Sequence, residues 1–331
     1  MPQLLLPQQN SLFNFRNVCV NGAFNFGQRG ASFSFGPGQT LVQGGPTLDC
    51  WSYSSELPGG GTFPNLIVTL QQPTTGIQAI PGNPHTFCRI SVTSQGAAAT
   101  IPTGTAYGVF RQGIENVYTF EGRPVYVSFW ARSTIANKII GIDLQQSYNN
   151  VQGQVVNKSV VLTSAWRRYV VAGRAPLISA TLTGTPSLIL YLWLFCGTDT
   201  AFGIRTARPG GFSLQGTGDI EIAHLQIEAD QVTPFEQRSL QEESQRLLRL
   251  LFRATNLPLG VPGNQFWSTD GFVRFPVSMR AAPTVSAASF STGTPNLGAI
   301  NVFGALFNNS AGGWTAYGET PTITATFSAE L

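Results

Sequence analysis

The side chains best suited to do chemistry in this sequence are aromatic rings that stand beside amides or glycine-rich turns. A flat aromatic face packs against a sugar ring, and a neighbouring amide hydrogen-bonds the sugar hydroxyls. Such residues predict glycan binding or a contact between subunits. The candidates are Tyr148, Asn149, Asn150, Trp267, Trp314 and Tyr317. Trp51 and Trp166 lie next to or within strand-like runs, where packing into the fold is the favoured interpretation.

Arrangements that support catalysis are missing from the sequence. It has two histidines, His85 and His224, and neither a G-x-S-x-G motif nor a phosphate-binding glycine loop. A glycosidase needs two carboxylates across a cleft, and the closest pair is Asp219 and Glu221. Both alternate with isoleucines on one strand, which predicts an exposed polar strand face. We predict no enzymatic activity, no cofactor and no metal site.

Four cysteines, Cys19, Cys50, Cys88 and Cys196, lie in or beside strand-like runs. None forms a C-x-x-C pair, and no pair of them has a histidine nearby, so a zinc site is not expected. Two interpretations remain open. The cysteines are small buried side chains, or they form one or two disulfides after release into an oxidising medium.

The composition predicts a mainly β protein. The chain has 331 residues, of which 42% are hydrophobic and only 11% are charged, with 36 glycines and 21 prolines. Intrinsic disorder requires low hydrophobicity and high charge, so this composition excludes it, and it excludes a coiled-coil rod as well. Short strands between frequent turns are expected instead.

Charge and hydropathy restrict the partners. The net charge is +3 and the sequence has no basic run typical of a nucleic-acid groove, so no nucleic-acid binding is expected. The longest apolar run, residues 188–196, is far shorter than a membrane span. It predicts a buried central strand and no membrane insertion. The N-terminus lacks the positive segment and cleavage site of a signal peptide, so synthesis in a cytoplasm is expected.

Turn signals and periodicity divide the chain into four parts, with one convincing helix between two β regions. The predicted parts are an extended anchoring segment (residues 1–16, through Leu4, Leu5 and Leu6), a large β domain (17–232), a linking helix (233–255) and a small β domain (256–331). No fixed-period repeat is present, which disfavours a β-helix or a propeller.

A change of phase in the apolar alternation of residues 220–227 makes one sharp local prediction. The isoleucines of the first half and the apolar residues of the second half would point to opposite faces of a regular strand. An extra residue restores one common face, so the pattern predicts a β-bulge near Ala223 and His224.

A second local pattern predicts where the helix begins. Thr233 and Glu236 have the spacing of a capping box, and Pro234 suits the first helical position. A helix from Thr233 to about Ala254 is therefore expected. Its predicted apolar stripe consists of Leu240, Leu247, Leu248 and Leu251.

Several segments resemble a family of bacteriophage tail-fibre and virion structural proteins. The matching segments are N-G-A-F-N-F-G-Q-R-G at 21–30, D-C-W at 49–51, V-S-F-W-A-R at 127–132, T-S-A-W-R-R-Y at 163–169, residues 220–239 with T-P-F-E-Q-R-S, residues 273–284, and the final F-S-A-E-L. Together they extend over about residues 17–331. Cys50 stands where the family has an arginine, so any role of that arginine is not carried over.

The resemblance implies an antiparallel jelly-roll β-sandwich similar to carbohydrate-binding modules, one linking α-helix and a smaller C-terminal β-sandwich. It further implies a location in the virion and a homo-oligomer, expected to be a trimer. Because the family carries both Arg29 and Asp49, these two residues are expected to interact inside the fold.

Two functions remain open at this point. The first is a non-enzymatic tail fibre or short spike that recognises host-surface glycan. The alternative is a structural head-decoration or neck/collar fibre protein that stabilises the particle. The expected partners are further copies of the chain, other virion proteins and, for the first function, a host-surface glycan.

Overall fold

The computed structural model of the chain contains a large β-sandwich, an α-helix and a small β-sandwich. It describes residues 16–36, 42–57, 61–100, 106–114, 116–148, 151–178, 181–182, 186–197, 211–258, 270–279, 282–290, 296–301, 303–308 and 322–328. The strand pairs within these ranges are antiparallel. The predicted mainly β fold class, an antiparallel jelly-roll β-sandwich with a smaller second sandwich, is confirmed.

The front sheet of the large sandwich has six strands. They are β1 (Ser32–Phe35), β4 (Asn65–Gln71), β5 (Phe87–Ser94), β7 (Pro124–Ser133), β10 (Arg167–Arg174) and β12 (Gly218–Ala229). Their spatial order is β1-β4-β5-β12-β7-β10. Strands distant in sequence are therefore neighbours, with β12 inserted between β5 and β7.

The rear sheet also has six strands. They are β2 (Val42–Pro46), β3 (Ser52–Glu56), β6 (Tyr107–Ile114), β8 (Ile139–Tyr148), β9 (Val151–Val161) and β11 (Ser187–Cys196). The order is β2-β3-β6-β11-β8-β9, and a short 3₁₀ helix, Gly96–Ala99, precedes β6. The apolar run at 188–196 is a buried interior strand, as predicted.

The core of the large sandwich lies between the two sheets and follows the two-residue period of the strands. In β7, Val125, Val127 and Phe129 are fully buried and belong to this core. The residues that alternate with them, including Trp130, point to the outer face of the front sheet. The same alternation on β5 and β12 places polar side chains on that outer face, where the candidate site lies.

A β-bulge interrupts β12 where the sequence predicted it. The pairing with β7 shifts between Ala223 and Gln226, and His224 has a φ of 49°. Because of the extra residue, Ile222 and Leu225 both face the core. The bulge prediction is confirmed. It allows β12 to keep its polar side chains on the outer face along its whole length.

The small sandwich consists of two three-stranded sheets. Its strands are β13 (Leu251–Pro258), β14 (Asp270–Arg274), β15 (Thr284–Phe290), β16 (Asn296–Ile300), β17 (Gly304–Asn308) and β18 (Thr322–Ser328). The orders are β13-β18-β15 and β14-β17-β16. Both sheets contribute to one core, in which Phe275 and Phe327 meet with ring centroids 5.0 Å apart.

The helix α1 (Leu240–Leu250) is shorter than predicted at both ends. Its capping box is formed by Ser239 and Glu242, whereas residues 233–239 form no helix. The chain continues directly into β13 at Leu251, so the predicted end near Ala254 is also wrong. Within the described ranges, no helix is both long and apolar enough to cross a membrane.

The helix start differs from the prediction because Thr233 and Glu236 have partners outside the segment. The Thr233 hydroxyl donates to Glu228 at 2.6 Å instead of accepting from a helical N–H. The Glu236 carboxylate accepts from the backbone N–H groups of Arg16 and Asn17, at 3.2 and 2.9 Å. Tertiary partners thus replace the local capping interaction, and the next S-x-x-E spacing begins the helix.

The predicted apolar stripe of α1 is also only partly correct. Leu247 and Leu250 are buried, and they contact Cys50 of the large sandwich. Leu240 is 62% exposed, and the buried position one turn before Leu247 is occupied by the charged residue Glu243. The face that α1 turns towards the sandwich therefore contains an ion-pairing carboxylate as well as leucines.

Asp49 connects two of the segments that carry the family resemblance. Its carboxylate accepts from the backbone N–H of Gln28 at 2.9 Å, and its carbonyl accepts from the Asn21 side chain at 3.1 Å. Burial raises the pKa of Asp49, while the backbone N–H groups of Gln28 and Arg29 and the charge of Arg29 lower it. Arg29 therefore acts on Asp49 through its backbone N–H and its charge, and pairing of the two side chains stays a prediction.

All four cysteines are buried thiols that form no disulfide in the structure. This corresponds to the first of the two interpretations, small buried side chains. Burial raises the pKa of the Cys19 and Cys88 thiols far above their ordinary value. We infer that these two thiols react slowly with alkylating reagents while the protein is folded.

Gly22, in the N-G dipeptide at the start of the large sandwich, has no room for a side chain. A Cβ there would lie 2.1 Å from the Leu225 carbonyl oxygen, directly beside the bulge. We expect Gly22→Ala to lower the free energy of unfolding by about 1–3 kcal/mol, because backbone must move to relieve the overlap. Urea denaturation measures this value.

The matched control for Gly22 is Gly45→Ala on β2, where the nearest atom of the described, non-adjacent residues to an added Cβ is 4.0 Å away on the Phe35 ring. We expect the control to change stability by less than about 0.5 kcal/mol. Equal effects of the two substitutions would contradict the close approach of Gly22 to the bulge.

Candidate functional site

Of the residues singled out as glycan contacts, the structure describes one. Tyr148 is the last residue of β8 and pairs with Val151, the first residue of β9, with its side chain half-buried. The other candidates lie outside the described residues, and their roles stay predictions. They are Asn149, Asn150, Trp267, Trp314 and Tyr317, together with the anchoring candidates Leu4, Leu5 and Leu6.

A concave site formed by described residues lies on the outer face of the front sheet, away from Tyr148. We call it the arginine cleft. Its volume is about 590 Å³. Its lining comprises Gln71, Gln72, Pro73, Thr75, Gly76, Ile77, Gln78, Ala79, Phe87, Arg89, Arg132 and Trp166. These residues come from β4, β5, β7, the β4–β5 connection and the residue just before β10.

The β4–β5 connection, residues 72–86, forms one wall of the cleft and is held down by packing. Ile77, Ile80 and Phe87 form an apolar cluster with Ala223 of β12. Within the connection, the Ile77 N–H donates to the Pro84 carbonyl at 2.9 Å. Such internal bonds and apolar contacts give the wall a defined position above the sheet.

The floor of the cleft contains a carboxylate between two guanidinium groups. Arg89 on β5 donates to Glu221 of β12 through Nε at 2.8 Å and lies 2.7 Å from it through Nη2. Arg132 on β7 donates through Nε to the other oxygen of Glu221. The Glu221 side chain is only 3% exposed, whereas Arg89 and Arg132 are 31% and 39% exposed. A buried anion thus holds two partly exposed cations in place.

Asp219 extends this network away from the cleft. Its carboxylate lies 3.6 Å from Nε of Arg89, and its other oxygen accepts from the Ser91 hydroxyl at 2.7 Å. Asp219 and Glu221 face outward, as predicted from their alternation with isoleucines. The prediction of an exposed strand face is wrong for Glu221, because two arginines from neighbouring strands cover it.

Aromatic rings complete the cleft. The Arg132 guanidinium carbon lies 5.1 Å from the centre of the Trp166 ring, and the Arg89 carbon lies 5.6 Å from that of Phe87. The Phe87 and Trp166 centroids are 5.6 Å apart with the rings nearly perpendicular. Trp166 therefore packs within the fold, as its sequence context favoured, and also presents a half-exposed surface to the cleft.

The solved structures that are similar to this chain match it with low sequence identity and low TM-scores. No protein-family model and no curated protein sequence matches the chain. A family 11 carbohydrate-binding module of a Clostridium thermocellum cellulosomal cellulase is 12% identical over 65% of this chain and 96% of its own, with a TM-score of 0.31. The CBM22-1 xylan-binding domain of Paenibacillus barcinonensis Xyn10C is 14% identical over 55% and 87%, with a TM-score of 0.28.

A third similar structure is that of a cyclase in complex with an indole compound. It is a Stig cyclase, Fisc, from Fischerella sp. TAU, 10% identical over 66% of this chain and 98% of its own, with a TM-score of 0.35.

The arrangement in the cleft suits binding better than acid–base chemistry. Both oxygens of Glu221 accept from guanidinium groups and the side chain is 3% exposed, so this carboxylate serves to hold the two arginines. Among the described lining residues, the charged ones are Arg89 and Arg132. Fixed cationic donors, glutamine amides and a half-exposed indole ring are a recognition surface for a polar ligand.

The sequence contained a signal for this cleft that the motifs did not reveal. Arg89 and Ser91 alternate with apolar residues on one run, as Trp130 and Arg132 do on another. Each run alone predicts only a polar outer face. The strand order β5-β12-β7 brings both runs to Glu221, and strand order is not visible in any one run.

Proposed function

We propose that this chain is a non-catalytic glycan-binding protein and that the arginine cleft holds the sugar. The observation that carries the proposal is the placement of Trp166 beside two arginines whose positions Glu221 sets from below. The indole offers apolar contact to a sugar ring, and the guanidinium groups and the glutamine amides donate to hydroxyls. Prior positioning of these groups reduces the entropy lost on binding.

We further propose that the glycan belongs to a host surface and that the chain acts in a bacteriophage virion as a tail fibre or short spike, as a homotrimer. Support comes from the resemblance of residues 17–331 to virion proteins, together with a glycan-suited cleft. The T-P-F-E-Q-R-S segment of that resemblance has a structural task here. Glu236 and Arg238 bind the backbone of the first residues of the large sandwich.

Trp166→Ala is the first test of the cleft. We expect the variant to bind its glycan at least about tenfold more weakly, because truncation of a central aromatic contact costs more than about 1.4 kcal/mol. Screening the full-length protein on an array of bacterial surface polysaccharides selects the ligand, and calorimetric titration measures the affinity of each variant.

Trp130→Ala is the matched control for Trp166. Trp130 packs against the same apolar cluster of the outer face but does not line the cleft. We expect it to lose stability comparably and to retain glycan affinity. If both variants bind as tightly as the unaltered chain, the sugar does not bind in the arginine cleft.

A competition experiment tests the virion role. Purified protein in excess is added to host cells, and the adsorption of phage particles is counted. A dose-dependent block that Trp166→Ala abolishes supports host attachment. Absence of a block, with protein that binds no cells but does bind particles lacking it, would replace this proposal by the head-decoration or neck/collar function.

A further inference from the structure

We propose that the arginine cleft selects a sugar residue that carries a carboxylate, such as a uronic acid. This inference rests on the proposed glycan-binding function and specifies its ligand class. Arg132 is the principal anchor of the carboxylate, Arg89 supports it, and Trp166 contacts the sugar ring.

The charge of the cleft lining favours an anion. The charged side chains among its described lining residues are the two arginines, whereas Glu221 lies beneath them with 3% of its side chain exposed. Asp219 does not line the cleft and lies on the side of Arg89 that carries Ser91. The charged groups that a ligand in the cleft can contact are therefore guanidinium groups. Arg89, Arg132, Asp219 and Glu221 together carry no net charge, but the two carboxylates lie outside the lining.

Hydrogen-bonding capacity remains for a ligand. A guanidinium group has five N–H donors in a planar fork. Among the described residues, Glu221 accepts from Arg132 through Nε alone, and the two Nη groups of Arg132 have no hydrogen-bond acceptor. Arg132 is also 39% exposed. Two Nη groups in one plane match the two oxygens of a carboxylate, which is the bidentate geometry that arginine favours.

Two neighbours hold that donor plane before any ligand arrives. Glu221 fixes Nε of Arg132 from below, and the Trp166 ring lies 5.1 Å from its guanidinium carbon. A neutral sugar would use the apolar ring surface and offer these charged donors only hydroxyl oxygens. An acidic sugar offers them a carboxylate as well, so the cleft distinguishes the two by the stronger hydrogen bonds between charged partners.

The test compares oligosaccharide pairs that differ only in glucose against glucuronate at one position, with sodium acetate as the free carboxylate. Calorimetric titration of the full chain is expected to show at least tenfold tighter binding of the glucuronate member. That preference should decrease as sodium chloride is raised, since salt screens a partly exposed ion pair. Acetate alone is expected not to compete at equal concentration.

Arg132→Gln is expected to weaken binding of the glucuronate member much more than binding of the glucose member and so to remove the preference, and Arg132→Lys to restore it only in part. Arg123→Gln is the control of equal charge change, because Arg123 pairs with Asp230 away from the cleft and both are exposed. It should retain the preference. Thermal unfolding shows whether each variant is folded.

Each contrary outcome has a distinct meaning. Equal binding of both oligosaccharides overturns the inference and leaves the glycan-binding function standing. Competition by acetate as strong as that by the oligosaccharide overturns the inference in favour of a simple anion site. No binding of any glycan overturns both the inference and the proposed function. A preference that survives in Arg132→Gln assigns the anchor to another residue.

Discussion

Replacing Arg238 by methionine is expected to lower the free energy of unfolding by about 3–5 kcal/mol, because it leaves a buried carboxylate without its counter-charge. Arg238 and Glu243 are 8% and 6% exposed, and their charged groups lie 2.7 Å apart. Arg238 also donates to the backbone carbonyls of Asn17 and Cys19. Without Arg238, the backbone carbonyls of Asn17 and Cys19 and the Glu243 carboxylate of α1 each lose a hydrogen-bond donor.

Denaturant titration measures the effect of Arg238→Met, with Arg16→Gln as the control. Arg16 lies 3.9 Å from Glu236 through a side chain that is 53% exposed. Such a surface pair contributes little, so its loss should cost less than about 1 kcal/mol. The double variant Arg238→Met, Glu243→Gln should be less unstable than Arg238→Met alone, because the unpaired charge is gone. A loss below about 1 kcal/mol for Arg238→Met would contradict a buried ion pair.

Acidification is expected to destabilise the protein through His224. Burial lowers the pKa of His224 to about 4, and the ring stacks on Phe235 with centroids 4.1 Å apart. The unfolded chain, in which the pKa is about 6.5, takes up a proton first as the pH falls. Stability is therefore complete above about pH 6.5 and decreases towards pH 4, by about 3 kcal/mol from this group.

His224→Asn isolates that contribution. Asparagine tolerates the positive φ of the bulge position and does not titrate. We expect the variant to be less stable at pH 7, because it loses the ring contact, but to show a smaller further loss between pH 6.5 and 4. Parallel pH series of urea denaturation give the difference. Identical slopes in the two proteins would show that His224 is already protonated or exposed in the folded state.

The fate of the two capping boxes illustrates where local sequence is sufficient. Both Thr233–Glu236 and Ser239–Glu242 have the correct residues, yet only the second caps α1. In the first pair, Thr233 donates to Glu228 instead. Glu236 accepts from the backbone of residues 16–17, which lie more than two hundred positions away in the chain. Local spacing therefore identifies two possible starts for the helix, and contacts with distant residues determine which of the two forms.

The bulge on β12 shows the opposite case. An extra residue is the simplest way to keep the apolar side chains of residues 220–227 on one face of the strand. The structure has this bulge between Ala223 and Gln226. Burial of apolar side chains on one face is a strong constraint that each strand expresses in its own residues. For this reason the β class, the buried strand at 188–196 and the bulge were predictable without tertiary information.

The sequence by itself thus determined the mainly β class, the alternation that faces Arg89, Arg132 and Glu221 outward, and the presence of an α-helix between two β regions. Only the tertiary structure decided that these three charged residues meet, that Glu221 is buried by the meeting, and that Trp166 borders the resulting cleft. The physical reason is that periodicity encodes which face a side chain takes, whereas the neighbour on that face depends on strand order. Strand order is settled by long-range packing of the whole core.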